Sequence, residues 1–473
     1  RAKQALAAGD AARAARYLRE ARSQPGYGRR PEAMGQWSGL YVRLARKGLQ
    51  GGWEGNTFVG HADAVTCVGL CGDGRVALSG SADRTLRLWE VETGQCSQAL
   101  EGHGSGVTSA CLTADGRFAL SGSADGTLKL WDVGTGQCLG TCEGQASVIT
   151  SVSLSADGRL ALAGGTDGGV RLWEVLTGRL LRVLSGHSDS VHSVCLSADG
   201  RFALSGSAQF LVRTGGERLF TSGQLKLWEV ATGRPLPTFE GHADAVTAVA
   251  LGADGRYAVT GGGQAVLQRS NGRFAQSGRV HLWEVATGRR LNSFAGHAGA
   301  VTSVCLSFDG RHALSGSTDR AVKLWDVATG ACLRTFAGHA DAVTAVALSA
   351  DGRHALSGSA DRTLKLWALD WELEDSAPAD WDDGALPYLD AFLARHTPYA
   401  APLPARKRSP LARLFKSGPT GGEITRALTR QGRPRWTAKD FDALLYALGC
   451  AGFGWLRPDG VRRRLERRAR SKG

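Results

Sequence analysis

The sequence predicts an all-β fold, a seven-bladed β-propeller with small α-helical N- and C-terminal modules, and three observations carry the prediction. A Trp followed by Asp or Glu recurs at Trp89, Trp131, Trp173, Trp228, Trp283 and Trp325, and a seventh, Trp367, precedes Ala368; the spacings are 42, 42, 55, 55, 42 and 42 residues. Between the tryptophans, runs such as "VTSVCLS" and "RFALSGS" alternate apolar with polar residues and are parted by "ADG" and "TG" turns, the pattern of short antiparallel strands. Four such strands per unit of ~40–45 residues make one propeller blade. Finally, the last unit stops after its third strand, while "NTFVGH" (56–61) ahead of the first unit matches "LRTFAGH" (333–339). The N-terminal strand therefore completes blade seven and leaves no open sheet edge.

Ahead of the tryptophans a Gly-His pair recurs at His61, His103, His187, His242, His297 and His339, with Gln145 in the third copy. On these residues the chain resembles the WD-repeat family over residues 56–370. The resemblance implies that each blade is pinned by a hydrogen-bonded set: the His, a Ser or Thr of the second strand, an Asp of the following turn, and the Trp. In blade one these are His61, Ser79, Asp83 and Trp89, with Ser81 the alternative hydroxyl. The matching residues include His103, Asp125 and Trp131; His297, Asp319 and Trp325; and His339, Asp361 and Trp367. A buried indole N–H and imidazole need partners in any case, and a chain of bonds satisfies them together.

Blades four and five are each 13 residues longer than the others, and both insertions fall between the second and third strands, where the pinning Asp would stand. "QFLVRTGGERLFTSG" and "QAVLQRSNGRFAQSG" each read as strand, Gly-Gly or Asn-Gly turn, and returning strand, which is a hairpin signal. The resemblance puts these loops on the Gly-His face, the face commonly used for partners. The hairpins would form a wall carrying Phe210, Arg213, Arg218 and Phe220 beside Leu267, Arg269, Arg273 and Phe274, residue types that anchor interfaces. The alternative is that the hairpins only pack on each other. A second arc is Arg84, Arg320 and Arg362, in the equivalent turn of blades one, six and seven, which adjoin once the ring closes; surface ion pairing is the plainer account of these.

The flanks differ from the propeller. The formal charge of +13 divides into +8 for residues 1–50, −1 for 51–369 and +6 for 370–473. Residues 1–50 read as a tetratricopeptide-like helical hairpin region, with Asp10 as an N-cap. Residues 371–396 read as an acidic strap with a helix, 397–421 as a Pro/Gly/basic linker, and 422–473 as a small helical domain with a basic tail. The C-terminal segments resemble those of some bacterial WD-repeat proteins linked to serine/threonine kinase domains, yet neither "HRD" nor "DFG" occurs. Arg1 at the start, without Met, fits a fragment or a processed product. The Arg-rich, Ala-rich composition points to a GC-rich bacterial source.

Ten cysteines without CxxC spacing read as packing thiols: Cys111, Cys195 and Cys305 share one strand position, and Cys96, Cys138 and Cys332 another. Free thiols fit a cytoplasmic chain, and no apolar run is long enough to span a bilayer. No metal, cofactor or catalytic constellation emerges, because the His and Asp residues recur once per blade and the fold accounts for them. The reading is a non-enzymatic scaffold that binds a protein or peptide partner on the face bearing the hairpins. The alternatives are the sensor half of a signalling enzyme and a nucleic-acid contact through Arg462–Lys472, for which pairing with the acidic strap is the competing account.

Overall fold

Each alternating run forms a strand, and the strands of a blade bond in chain order. Blade one comprises Val65–Leu70, Val76–Ser81, Leu86–Glu90 and Cys96–Leu100, referred to below as strands a to d. The computed structural model describes residues 1–24, 31–113, 115–142, 147–212, 218–236, 239, 245–267, 274–374, 377–401 and 421–471. Among these residues six blades are four-stranded and blade four shows three strands.

Two devices hold neighbouring blades together. A glycine of each strand b lies directly under a β-branched residue at the start of the next blade: a Cβ on Gly80 would stand 2.7 Å from Val107, and one on Gly358 2.6 Å from Val65. Only a residue without a side chain lets the blades approach this closely. The threonine of "VT" then donates its hydroxyl across the same gap, Thr66 to Val107 O at 2.7 Å and Thr344 to Val65 O at 2.6 Å, the second bond closing the ring.

Blade seven takes its outer strand from the N-terminal side, as the sequence implies. Arg46–Val59 pairs with Thr363–Leu373, placing Phe58 opposite Leu364 and Trp53 opposite Ala368. This explains Ala368. In blade two the acid after the tryptophan, Asp132, accepts the N–H and hydroxyl of Thr135 and so shapes the c–d turn; blade seven has no such turn, because its strand runs on to Leu373.

The helices are α1 (Ala2–Ala7), α2 (Ala11–Arg22), α3 (Pro31–Ser38), α4 (Leu386–His396), α5 (Gly421–Leu428), α6 (Ala438–Leu448) and α7 (Pro458–Ser471). Asp10 caps α2 through Arg13 N, and Thr437 with Asp440 forms a reciprocal capping box on α6.

Several boundaries differ from the sequence reading. Strands reach back to Arg46 and forward to Leu373, so the propeller extends beyond 56–370 and takes in the ends of the helical region 1–50 and the strap 371–396. The strap helix α4 and the terminal helices α6 and α7 share one core, in which Leu389, Phe392 and Leu393 meet Phe441, Leu444 and Leu465; strap and helical domain are one unit. At the start of the 397–421 linker Tyr399 is docked, donating to Asp157 at 3.1 Å with Arg159 and Arg430 over its ring; residues 402–420 lie outside the described residues. All ten cysteines are free thiols, but Cys96, Cys138 and Cys332 are exposed, so packing accounts only for the inner positions. No helix among the described residues is long and apolar enough to cross a membrane.

Candidate functional site

The pinning set is a directional chain. In blade one the Trp89 indole N–H donates to Ser79 Oγ at 2.8 Å; Ser79 Oγ lies 2.8 Å from His61 Nε2, and His61 Nδ1 lies 2.8 Å from Asp83 Oδ2. Burial holds the His61 pKa below its ordinary value, partly offset by Asp83. The ring is therefore neutral: Nδ1–H donates to the carboxylate, and Nε2 accepts from the serine. Asp83 also accepts the N–H groups of Ala62 and Thr85, tying the Gly-His loop to the b–c turn. The hydroxyl is thus Ser79; Ser81 instead donates to Asp63 O and accepts from Asp83 N.

The same chain runs through His103, Ser121, Asp125 and Trp131; His297, Ser315, Asp319 and Trp325; and His339, Ser357, Asp361 and Trp367. Its Ser–His–Asp order is that of a hydrolase triad, but the chemistry is excluded. The four serines are 0% exposed, and each oxygen already accepts an indole N–H, so none can reach a substrate carbonyl.

Three blades depart from this arrangement. In blade three Ala163 stands where the others have a hydroxyl, Trp173 Nε1 has no hydrogen-bond partner among the described residues, and Asp167 pairs with Arg171; Gln145 lies outside the described residues. In blade four His187 meets Ser205 at 2.7 Å, but the hairpin replaces the aspartate, and burial with nearby Lys226 drives its pKa down to about 4. In blade five Thr260 accepts from Trp283, and His242 lies outside the described residues.

Both insertions form extended hairpins. Phe202–Val212 pairs with Arg218–Glu229, setting Phe210 opposite Phe220 and Val212 opposite Arg218. Tyr257–Leu267 pairs with Phe274–Glu284, setting Leu267 opposite Phe274. The returning strand of the first hairpin lies against strand b of blade five. Arg213, Arg269 and Arg273 lie outside the described residues.

The helices gather on the opposite face, where the a–b and c–d turns lie. Tyr388 donates to Phe308 O, Tyr446 to Gly72 O, and Arg430 pairs with Asp157, all in a–b turns. Arg182 joins the c–d turn of blade four, at Ala231 O and Thr232 O, to Thr425 of α5. Trp37 and Tyr41 bond the strand continuation at Trp371 O and Leu369 O, and Arg22 pairs with Asp370. Three arginines of the basic C-terminus pair within this unit: Arg463 with Asp380, Arg464 with Asp383 and Arg468 with Asp390. The face of Gly-His loops, b–c turns and hairpins receives none of these contacts.

A family model described as "WD domain, G-beta repeat" matches residues 52–90, 94–132, 136–174, 178–229, 233–284, 288–326 and 330–368. The chain belongs to the WD-repeat family. Propellers of this family generally act as protein-interaction scaffolds and are typically non-enzymatic. WD repeat-containing protein 18 of Homo sapiens is 52% identical over 42 residues, 9% of this chain and 10% of that protein. Small ribosomal subunit protein RACK1 of Candida albicans is 52% identical over 42 residues, 9% of this chain and 13% of that protein. Autophagy-related protein 16 of Arabidopsis thaliana is 30% identical over 128 residues, 21% of this chain and 25% of that protein. The chain thus spans about a tenth of the WD repeat-containing protein 18 sequences it matches. These relatives are eukaryotic and give no support to a bacterial origin or a kinase linkage.

Proposed function

We propose that this WD-repeat chain is a non-catalytic scaffold that binds a protein partner on the propeller face bearing the blade-four and blade-five hairpins. One observation carries the reading: the described helices occupy the a–b and c–d turn face and leave the hairpin face clear of their contacts. A propeller with one face covered by its own chain presents the other. Two adjacent b–c turns there are lengthened into hairpins, and loops on a rigid scaffold are where binding residues concentrate. Phe210, Arg213, Arg218 and Phe220 on the first hairpin and Leu267, Arg269, Arg273 and Phe274 on the second are the residues assigned to the contact.

The test compares affinity capture by this chain and by a variant whose two 13-residue insertions are replaced by the "ADGT" turn of blade two, with folding of both checked by circular dichroism. Loss of the captured partners with the hairpins is the expected result. The same partners in the same amounts would make the hairpins packing elements.

A further inference from the structure

The seven b–c turns on the hairpin face divide into three kinds. Blades two and three place glycine after the turn aspartate, Gly126 and Gly168, both at positive φ (78° and 76°). Blades four and five carry the hairpins. Blades six, seven and one place Arg320, Arg362 and Arg84 at the glycine position, in the same left-handed conformation, with φ of 70°, 72° and 73°. This conformation disfavours any residue with a Cβ other than Asn or Asp, and the chain's own solution elsewhere is glycine. Three of three arginines in a disfavoured geometry, on contiguous blades, point away from a structural role, since local strain gathers where function requires the side chain.

The side chains bear this out chemically. All three arginines are exposed, and their guanidinium groups make no hydrogen bond or ion pair with any described residue. The neighbouring aspartates do not neutralise them: Asp83, Asp319 and Asp361 turn inward to histidines. Two exposed carboxylates lie nearby, Asp63 and Asp341, each accepting the N–H of the following residue, while blade six has Gly299 at that position.

The geometry points to an anion-recognising arc formed by Arg320, Arg362 and Arg84, whose ligand is an acidic peptide segment with carboxylates reaching successive blades. Guanidinium forks match carboxylates bidentately, and three of them on separate blades read an extended chain and not a single small anion. The arc rests on the reading of this face as the partner-binding face, and it adjoins the hairpin wall, because blade six follows blade five. It uses different residues, so the two assignments fail separately.

The experiment measures fluorescence anisotropy of a labelled peptide in which Asp and Glu alternate with Gly and Ser, against its Asn/Gln counterpart and a single-stranded oligonucleotide of equal charge. The full chain should bind the acidic peptide, more weakly as salt rises, and not the amide peptide. The triple variant R84G/R320G/R362G installs the residue native to blades two and three, so its thermal midpoint should equal or exceed that of the parent, while its affinity falls at least about tenfold. The triple Glu variant should abolish binding, and the hairpin-shortened chain should retain it. Absence of acidic-peptide binding, equal binding by the triple Gly variant, or tighter binding of the oligonucleotide through the same arginines would each overturn the assignment, leaving the hairpin reading to its own test.

Discussion

At the scale of single residues, blade three is a natural deletion of the pin. Ala163 removes the hydroxyl that elsewhere accepts the indole N–H, and Trp173 Nε1 is left buried without a partner among the described residues. Ala163→Ser should restore that acceptor and stabilise the protein by about 0.5–1.5 kcal/mol. Ser121→Ala in the neighbouring blade strands both Trp131 and His103 and should cost about 1–3 kcal/mol. Opposite shifts of the thermal midpoint check the pair; a destabilising Ala163→Ser would mean that blade three has repacked around the missing hydroxyl. The residue types of the pin were legible from their recurrence, but the choice between Ser79 and Ser81 was not. Residues two apart on a strand share a face, so only the position of Trp89, which is registered opposite Ala77, selects Ser79.

At the scale of elements, the recurring strands and hairpins were readable because their signals are local: alternation, turn glycines and a fixed period. How the flanking helices dock was not, because it depends on contacts between residues hundreds of positions apart. Arg46 is the clearest case. Its guanidinium is buried, paired with Asp309 at 2.6 Å in the a–b turn of blade six, and bonded to Asp351 O of blade seven and Cys450 O just after α6. One side chain thus joins the closing strand, two blades and the C-terminal unit, and nothing about an Arg beside Lys47 announces it. Burial pushes the Asp309 carboxyl up, but Arg46 and the surrounding hydrogen bonds outweigh it and hold the pKa below its ordinary value. Arg46→Met should therefore cost about 3–5 kcal/mol by leaving a buried carboxylate unpaired. The double change Arg46→Met with Asp309→Leu should recover a large part of that loss; if the double variant is as unstable as the single one, the backbone bonds to Asp351 and Cys450 matter more than the charge pair.

At the scale of the whole molecule, the repeated pins give the propeller a common response to acid. His61, His103, His297 and His339 are each held below the ordinary histidine pKa by burial, against the upward pull of their aspartates, and His187, without an aspartate, falls to about 4. The unfolded chain binds protons at these histidines from about pH 6.5 downward while the folded chain does not. Their contribution is complete above pH 6.5 and is lost as the pH falls toward the folded values. The aspartates act lower down. Burial opposes their ionisation, but hydrogen bonds from Thr85 and His61 bring Asp83 to about 2, and Asp125 and Asp361 also lie at about 2. Their contribution is present above the ordinary carboxylate range and disappears as the pH drops from there to about 2. Thermal midpoints measured across pH should therefore be level near neutrality, decline from about 6.5 to about 4, and decline again below that. His187→Gln should make the first decline shallower and leave the second unchanged, since no pin aspartate is bonded to His187. A midpoint that rises as the pH falls toward about 6.5 would show that the histidines are charged in the folded ring and that the serine-to-histidine direction of the chain is reversed. One that stays constant from about pH 7 to about pH 4 would show that folded and unfolded chains take up protons equally and that burial does not hold these histidines neutral.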